Sequence, residues 1–250
     1  MIRTIAMREL RSLFLSPLAW AILAVVELIL GFLFLGQLDL FITYQAQIAV
    51  LESPPGATEI IVVPLFSSAT VVLLLVIPLL TMRLISDERR QKTLPLLLSA
   101  PVSMTEIVLG KYLGILAFLG VLLAVILLMP FSLYLLGPLD SGLLFSAIIG
   151  LALMIASFAA AGLFLSSLTN QPTVAAVMTF GLLLLLWIID MVGNAGGGGS
   201  ELLKYLSLQQ HYQSLLRGLF DSSDILYYLL FITTFILLTI RQLDAERIRG

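Results

Sequence analysis

A charged segment between two apolar stretches holds the residues of this chain best suited to polar chemistry. Within Ser86–Lys111, Asp87 and Glu88 are followed directly by Arg89 and Arg90. Acids before bases is the order that the helix dipole favours, so the segment predicts a short helix. Carboxylates and guanidinium groups in this order form ion pairs and protein contacts. We therefore interpret the segment as a contact surface that meets a partner in water.

An apolar run follows these charges. After Thr93 come Leu94, Leu96, Leu97 and Leu98. Four leucines are unfavourable in water without a docking partner, although a solvated hairpin that only sets membrane orientation is the alternative. Further on, Ser103 and Glu106 have the spacing of a capping box, which predicts a second helix leading into the next apolar stretch.

The sequence offers no catalytic or metal centre of its own. There is no cysteine and a single histidine, His211, which excludes thiol catalysis and cysteine-ligated metals. No phosphate-binding G-x-x-x-x-G-K-[ST] motif is present. Gly196–Gly199 is followed by Ser and Glu, with no lysine to meet a phosphate. We predict no catalytic residue, no metal and no nucleic-acid partner.

The elements that must position this segment are membrane helices. The chain has 250 residues, of which 60% are hydrophobic and 11% charged, far below the charged fraction of about 25% in soluble domains. The whole of residues 1–250 is predicted to be one all-α polytopic membrane domain with six spans. These are Pro17–Leu38, Ile60–Leu84, Tyr112–Leu136, Leu143–Leu168, Val174–Val192 and Ile225–Ile240.

The basic residues predict the orientation of these spans. Eleven of the thirteen lysines and arginines fall in the N-terminal segment, the loop between spans two and three, and the C-terminal tail. The positive-inside rule therefore places both termini and the loop of residues 86–111 in the cytoplasm.

Two further segments are predicted to be helical outside the spans. Residues 1–16 have an arginine-rich face and an apolar face, which is typical of a helix lying in the membrane interface; an ordinary basic flank is the alternative. The external loop of residues 193–224 has apolar residues at helical intervals between Ser200 and Leu219, which predicts one or two short re-entrant-like helices. For His211 we favour an interfacial hydrogen bond over a pH or substrate role.

Inside the spans, one charge and one set of small residues are notable. Glu27 falls near the middle of span one, where a charged acid costs about 2.5–3.5 kcal/mol. It is either part of a translocation path or subunit interface, or a neutral carboxyl bonded to a neighbouring helix. Ala152, Ala156 and Ala160 recur every four residues in span four, which predicts a closely packed scaffold helix.

The charged segment resembles the loop between the second and third spans of ABC-2 type transporter permeases. There an acidic-basic cluster precedes a Thr-Leu-x-Leu-Leu-Leu-x-x-Pro-Val-Ser run, here residues 93–103. Residues 8–12 and 16–19 are similar to the same family's lead into span one, and residues 207–212 and 217–221 resemble its gliding-motility-associated branch. Many members have Gly before the Thr and an acid two positions after it, where this chain has Lys92 and Pro95.

The resemblance implies a half-transporter in a bacterial plasma (inner) membrane. Two permease subunits, identical or related, would pair with two copies of a cytoplasmic ATPase, which bind ATP and Mg, so that this chain needs no cofactor. The coupling helix would be formed by residues 86–111. ATP hydrolysis would then drive substrate export or mechanical transmission across the membrane.

Two other functions are consistent with the residues. One is a secondary transporter driven by an ion gradient, with Glu27 as its coupling site. The other is an envelope scaffold for motility or surface assembly, with the external loop as the docking surface for an envelope or periplasmic partner.

Overall fold

The computed structural model describes residues 1–48, 50, 55–93, 102–135, 137, 139–194 and 207–249. In these ranges every regular element is a helix, which confirms the all-α prediction. The helices are α1 (Ile2–Leu15), α2 (Pro17–Ile48), α3 (Val63–Thr81), α4 (Ser86–Arg90), α5 (Met104–Ser132), α6 (Ser141–Leu168), α7 (Pro172–Asn194), α8 (Leu208–Leu216) and α9 (Ser222–Arg249). A π-helical turn, Thr58–Val62, leads into α3, and a 3₁₀ turn, Leu133–Leu135, follows α5.

Six helices in the described part of the chain are long and apolar enough to cross a membrane: α2, α3 with its flanking turns, α5, α6, α7 and α9. The predicted number of spans is thus confirmed, and the chain is a multi-pass membrane protein. Two predicted ends were too early: α2 continues past Leu38 to Ile48, and α9 past Ile240 to Arg249. A helix bonds its own backbone, so it continues into water after hydropathy has fallen.

The centre of the bundle is α6, the most buried of the six spans. It contacts α3, α5, α7, α8 and α9. Ala159, Ala160 and Ala161 have no exposed surface, and a Cβ added to Gly162 would lie 2.2 Å from Thr81 Oγ1 of α3. Small residues allow this close approach, which confirms the prediction of a packed scaffold helix.

The N-terminal helix α1 packs along α5. A Cβ on Gly110 would lie 2.7 Å from Ile5 Cβ, and one on Gly114 would lie 2.7 Å from Glu9 Cβ. The predicted helix is therefore present, and its apolar face has a protein partner. Its position in the membrane interface stays a prediction.

Hydrogen bonds at the middle and near the end of α8 hold this helix inside the bundle. Tyr212 Oη donates to Phe66 O at 3.1 Å, and Ser146 Oγ donates to Leu215 O at 2.8 Å. Burial raises the pKa of Tyr212 well above its usual range. The apolar residues from which this helix was predicted thus pack against α3 and α6. The part of the external loop in residues 195–206 lies outside the described residues.

Candidate functional site

The short helix α4 has the predicted order of charges. Asp87 and Glu88 occupy its first turn, and Arg89 and Arg90 its last. Arg90 Nη2 lies 3.3 Å from Asp87 Oδ1, an ion pair within the helix. The helix is five residues long and cannot be stable alone, because isolated helices below about 12 residues are marginal in water. Its stability must come from contacts with the bundle.

The backbone conformation at the end of α4 accounts for the glycine that many family members have where this chain has Lys92. Lys92 has φ 56°, a left-handed conformation. Its N–H donates to Arg89 O at 3.0 Å, and the N–H of Thr93 donates to Glu88 O at 2.9 Å. These two bonds form a Schellman motif, whose left-handed position usually holds glycine. Lys92 therefore takes up the backbone conformation that glycine would adopt, at a steric cost that glycine does not have.

A buried lysine fixes α4 to α1 and α5. Lys111 lies in the first turns of α5 and is 1% exposed. Its Nζ donates to Leu84 O at 2.6 Å, to Glu88 Oε1 at 2.8 Å and to Glu9 Oε2 at 3.4 Å. Arg8 Nη2 adds a second donor to Glu88 Oε1 at 3.2 Å. We call Arg8, Glu9, Glu88 and Lys111 the charge cluster; it joins three helices that are distant in sequence.

A serine hydroxyl attaches the start of α4 to the central helix. Ser166 Oγ, near the end of α6, accepts from the backbone N–H groups of Ile85 (3.1 Å) and Ser86 (3.2 Å). It also donates to Met82 O at 3.0 Å. Since the first N–H groups of a helix have no partner within it, this hydroxyl acts as a cap supplied from a neighbouring helix.

The other side of α4 is bound to the last turns of α9. Arg89 Nη2 pairs with Glu246 Oε1, and Gln242 Nε2 donates to the same oxygen at 3.1 Å. The arginine side chain is 12% exposed, so the pair is largely removed from solvent and is more costly to break than a surface pair. The extension of α9 beyond its apolar part therefore carries a contact to α4.

The predicted site residues are only partly brought together. Glu88 belongs to the charge cluster, Arg89 contacts α9, and Asp87 and Arg90 pair with each other. Thr93 closes α4. The predicted docking leucines (Leu94, Leu96, Leu97 and Leu98) lie outside the described residues. The predicted capping box is confirmed, because Ser103 and Glu106 each accept from the backbone N–H of the other.

Five residues of the site were missed by the sequence reasoning: Arg8, Glu9, Lys111, Ser166 and Glu246. A signal existed for two of them. Glu9 follows Ile5 by one helical turn on the face of α1 that packs against α5, and Lys111 stands between apolar residues of a span. A lone charge on a buried face needs a partner of opposite charge. Glu9 and Lys111 form such a pair, 3.4 Å apart.

Glu27 lies apart from the charge cluster. It is half-buried in α2, and its Oε1 is buried with no hydrogen-bond partner among the described residues. Its predicted role on a translocation path or subunit interface stays a prediction.

The single histidine, in α8, has a carboxylate partner. His211 Nδ1 lies 2.6 Å from Asp224 Oδ1, and the ring stacks on Tyr227 with centroids 4.2 Å apart. The pair joins α8 to the first turn of α9, together with Tyr228 Oη, which donates to Leu208 O at 2.7 Å. His211 thus makes the predicted kind of hydrogen bond, and its position at the membrane interface stays a prediction.

Comparison with known proteins agrees with this architecture. The family model of the ABC-2 family transporter protein matches residues 3–243, from α1 to the last turns of α9. No curated protein is detectably similar to the chain.

Proposed function

Because this chain belongs to the ABC-2 family of transporter proteins and is the permease of an ABC transporter, we propose that its segment 86–111 transmits ATP hydrolysis by a separate ATPase subunit to the spans. The ATPase would bind at α4 and the leucines that follow it. ATP and Mg would be held by that subunit, since the sequence contains no phosphate-binding motif of the kind given above.

The observation that carries this proposal is the attachment of α4 to three parts of the bundle. Lys111 links Glu88 to α5 and α1, Ser166 links the start of α4 to α6, and Glu246 links Arg89 to α9. Buried contacts of this kind are not continuously deformable. A displacement of α4 by a docked protein is therefore passed on to spans three, four and six together.

The assembled transporter that we propose has two permease subunits, identical or related, and two ATPase subunits. It lies in a bacterial plasma (inner) membrane with both termini in the cytoplasm, as the distribution of basic residues favours. The last turns of α9 and all of α1 then lie on the same side as α4, which agrees with the ion pairs that join them.

The test is co-purification of the ATPase. The tagged permease is extracted from its native membrane in gentle detergent, and bound proteins are quantified by mass spectrometry. We expect a soluble ATPase in near-equal amount, and its loss in a variant with Leu97→Asp and Leu98→Asp. Leu135→Asp is the control, because Leu135 is an exposed leucine (91%) far from α4 in sequence. ATPase retained equally in both variants would refute docking at the leucines.

Family membership favours an ATP-driven permease over an ion-gradient carrier, but it does not separate export from mechanical transmission. In the second version, which the likeness to the gliding-motility-associated branch favours, an envelope protein binds the external side. Leu219 and Phe220, directly after α8, are 61% and 55% exposed, whereas the apolar residues of α8 itself are buried. An envelope protein that co-purifies with wild type and is lost on Leu219→Ser with Phe220→Ser would support this version.

A further inference from the structure

A cleft of about 350 Å³ lies beside the charge cluster, between α1, the start of α2, the end of α3 and α4. Its volume is at the lower end of the range of ligand pockets, about 300–1,000 Å³. Its lining includes the leucines Leu18, Leu79 and Leu80 as well as Ser12, Ser16 and Arg83. A cavity lined by both apolar and polar side chains suits an amphiphilic ligand.

The charges in the cleft leave one cation without an acidic partner. Glu9 and Glu88 are bound by Lys111, and Asp87 by Arg90. Arg83 is exposed and makes no ion pair or hydrogen bond with the described residues. A guanidinium has five donors in a planar fork and matches a phosphate better than any other side chain does. Although the cleft is lined by as many acids as bases, the Arg83 guanidinium is therefore available to bind an anion.

The apolar lining points to a lipid as the source of this anion. Leu18 and Leu79 belong to spans and are 37% and 41% exposed, so in a bilayer their free surface meets acyl chains. Trp20, two residues after Leu18 in α2, is 57% exposed and its Nε1 donates to Phe14 O at 2.8 Å. Tryptophan is enriched where acyl chains and headgroups meet, which places the cleft near headgroup level.

We propose that this cleft binds the headgroup of an anionic phospholipid from the leaflet on the α4 side. Arg83 binds the phosphodiester. The hydroxyls of Ser12 and Ser16 and the free donors of Arg8 contact the remaining headgroup oxygens. One acyl chain lies along Leu18 and Leu79. The bound lipid bridges α1, α3 and α4, so it stabilises the arrangement that holds α4 in place. The site requires no ATPase and is independent of the proposed coupling.

The test uses the full-length protein purified in a nonionic detergent. Thermal unfolding and native mass spectrometry are measured during titration with dioleoylphosphatidylglycerol, and in parallel with dioleoylphosphatidylcholine and with sn-glycerol 3-phosphate. We expect phosphatidylglycerol alone to bind and to raise the unfolding temperature, by mass action on the folded state. Arg83→Gln is expected to weaken its binding by about tenfold or more, and Arg83→Lys, which keeps the charge but loses the fork, by less.

Arg11→Gln is the matched control. Arg11 is also exposed, also lacks an ion pair among the described residues, and does not line the cleft. Equal weakening by Arg11→Gln and Arg83→Gln would show diffuse attraction to negative membranes and overturn the site. Binding of glycerol phosphate as tight as that of phosphatidylglycerol would overturn the assignment to a lipid, and equal stabilisation by phosphatidylcholine would overturn the role of charge.

Discussion

Replacing Lys111 by methionine removes the only positive charge that reaches both Glu9 and Glu88 in the described structure, while an unbranched side chain one atom shorter is kept. The variant leaves two carboxylates and the Leu84 carbonyl facing an apolar group. Removing one partner of a buried ion pair costs about 3–5 kcal/mol. The Glu9 and Glu88 side chains are 15% and 20% exposed, so water reaches part of them, and the expected loss is near the lower limit, about 3 kcal/mol.

The assay is unfolding of the purified full-length protein by titration with SDS in mixed micelles. A loss of about 3 kcal/mol lowers the folding equilibrium constant by roughly two orders of magnitude. Lys92→Met is the control, because it makes the same exchange at an exposed position. Adding Glu9→Gln to the Lys111 variant should recover about 1 kcal/mol or more, since Glu9 has no other cationic partner among the described residues, whereas Glu88 keeps Arg8. Equal stability of the two methionine variants would refute the reasoning.

Three further predictions use the same unfolding assay. Gly162→Ala is expected to cost about 1–3 kcal/mol, because its Cβ would meet a threonine of α3 at 2.2 Å; Gly181→Ala, with nothing within 4 Å, is the control and should be neutral or slightly stabilising. Arg89→Glu should destabilise the protein and Glu246→Arg should rescue it, with a coupling energy in the double-mutant cycle above about 0.5 kcal/mol; additive losses would mean that the pair contributes nothing. Lys92→Gly should raise the free energy of unfolding by up to about 1 kcal/mol, since glycine avoids the left-handed penalty, and any loss of stability would contradict this account of the end of α4.

Local patterns predicted the local structure well. The order of acids and bases in residues 87–90 predicted α4, and Ser103 with Glu106 predicted the capped start of α5. Each prediction depends on backbone groups within a few residues, so the sequence window contains all the interacting partners. The helix ends at Ile48 and Arg249 were missed because hydropathy marks the thickness of the bilayer rather than the end of backbone hydrogen bonding.

Long-range pairings were not predictable in the same way. Arg89 and Glu246 are 157 positions apart, and no periodicity relates them. His211, the only histidine in the sequence, likewise pairs with an acid of the next helix, Asp224. Such pairs depend on how α6 brings α8, α9 and α4 together, which no local sequence window contains. The sequence therefore showed the charges of α4, but it did not show which distant residues pair with them.

The pairing of Glu9 with Lys111 also has a consequence for biosynthesis. The two residues are 102 positions apart, and chains grow at about 5–20 residues per second. For roughly 5–20 s after Glu9 is synthesised, α5 does not yet exist. The face of α1 that packs on α5 therefore lacks Lys111 and the two glycines, Gly110 and Gly114, against which it packs in the finished protein. A nascent chain arrested after the second span therefore has an undocked amphipathic helix whose acid still lacks the lysine it pairs with in the finished protein.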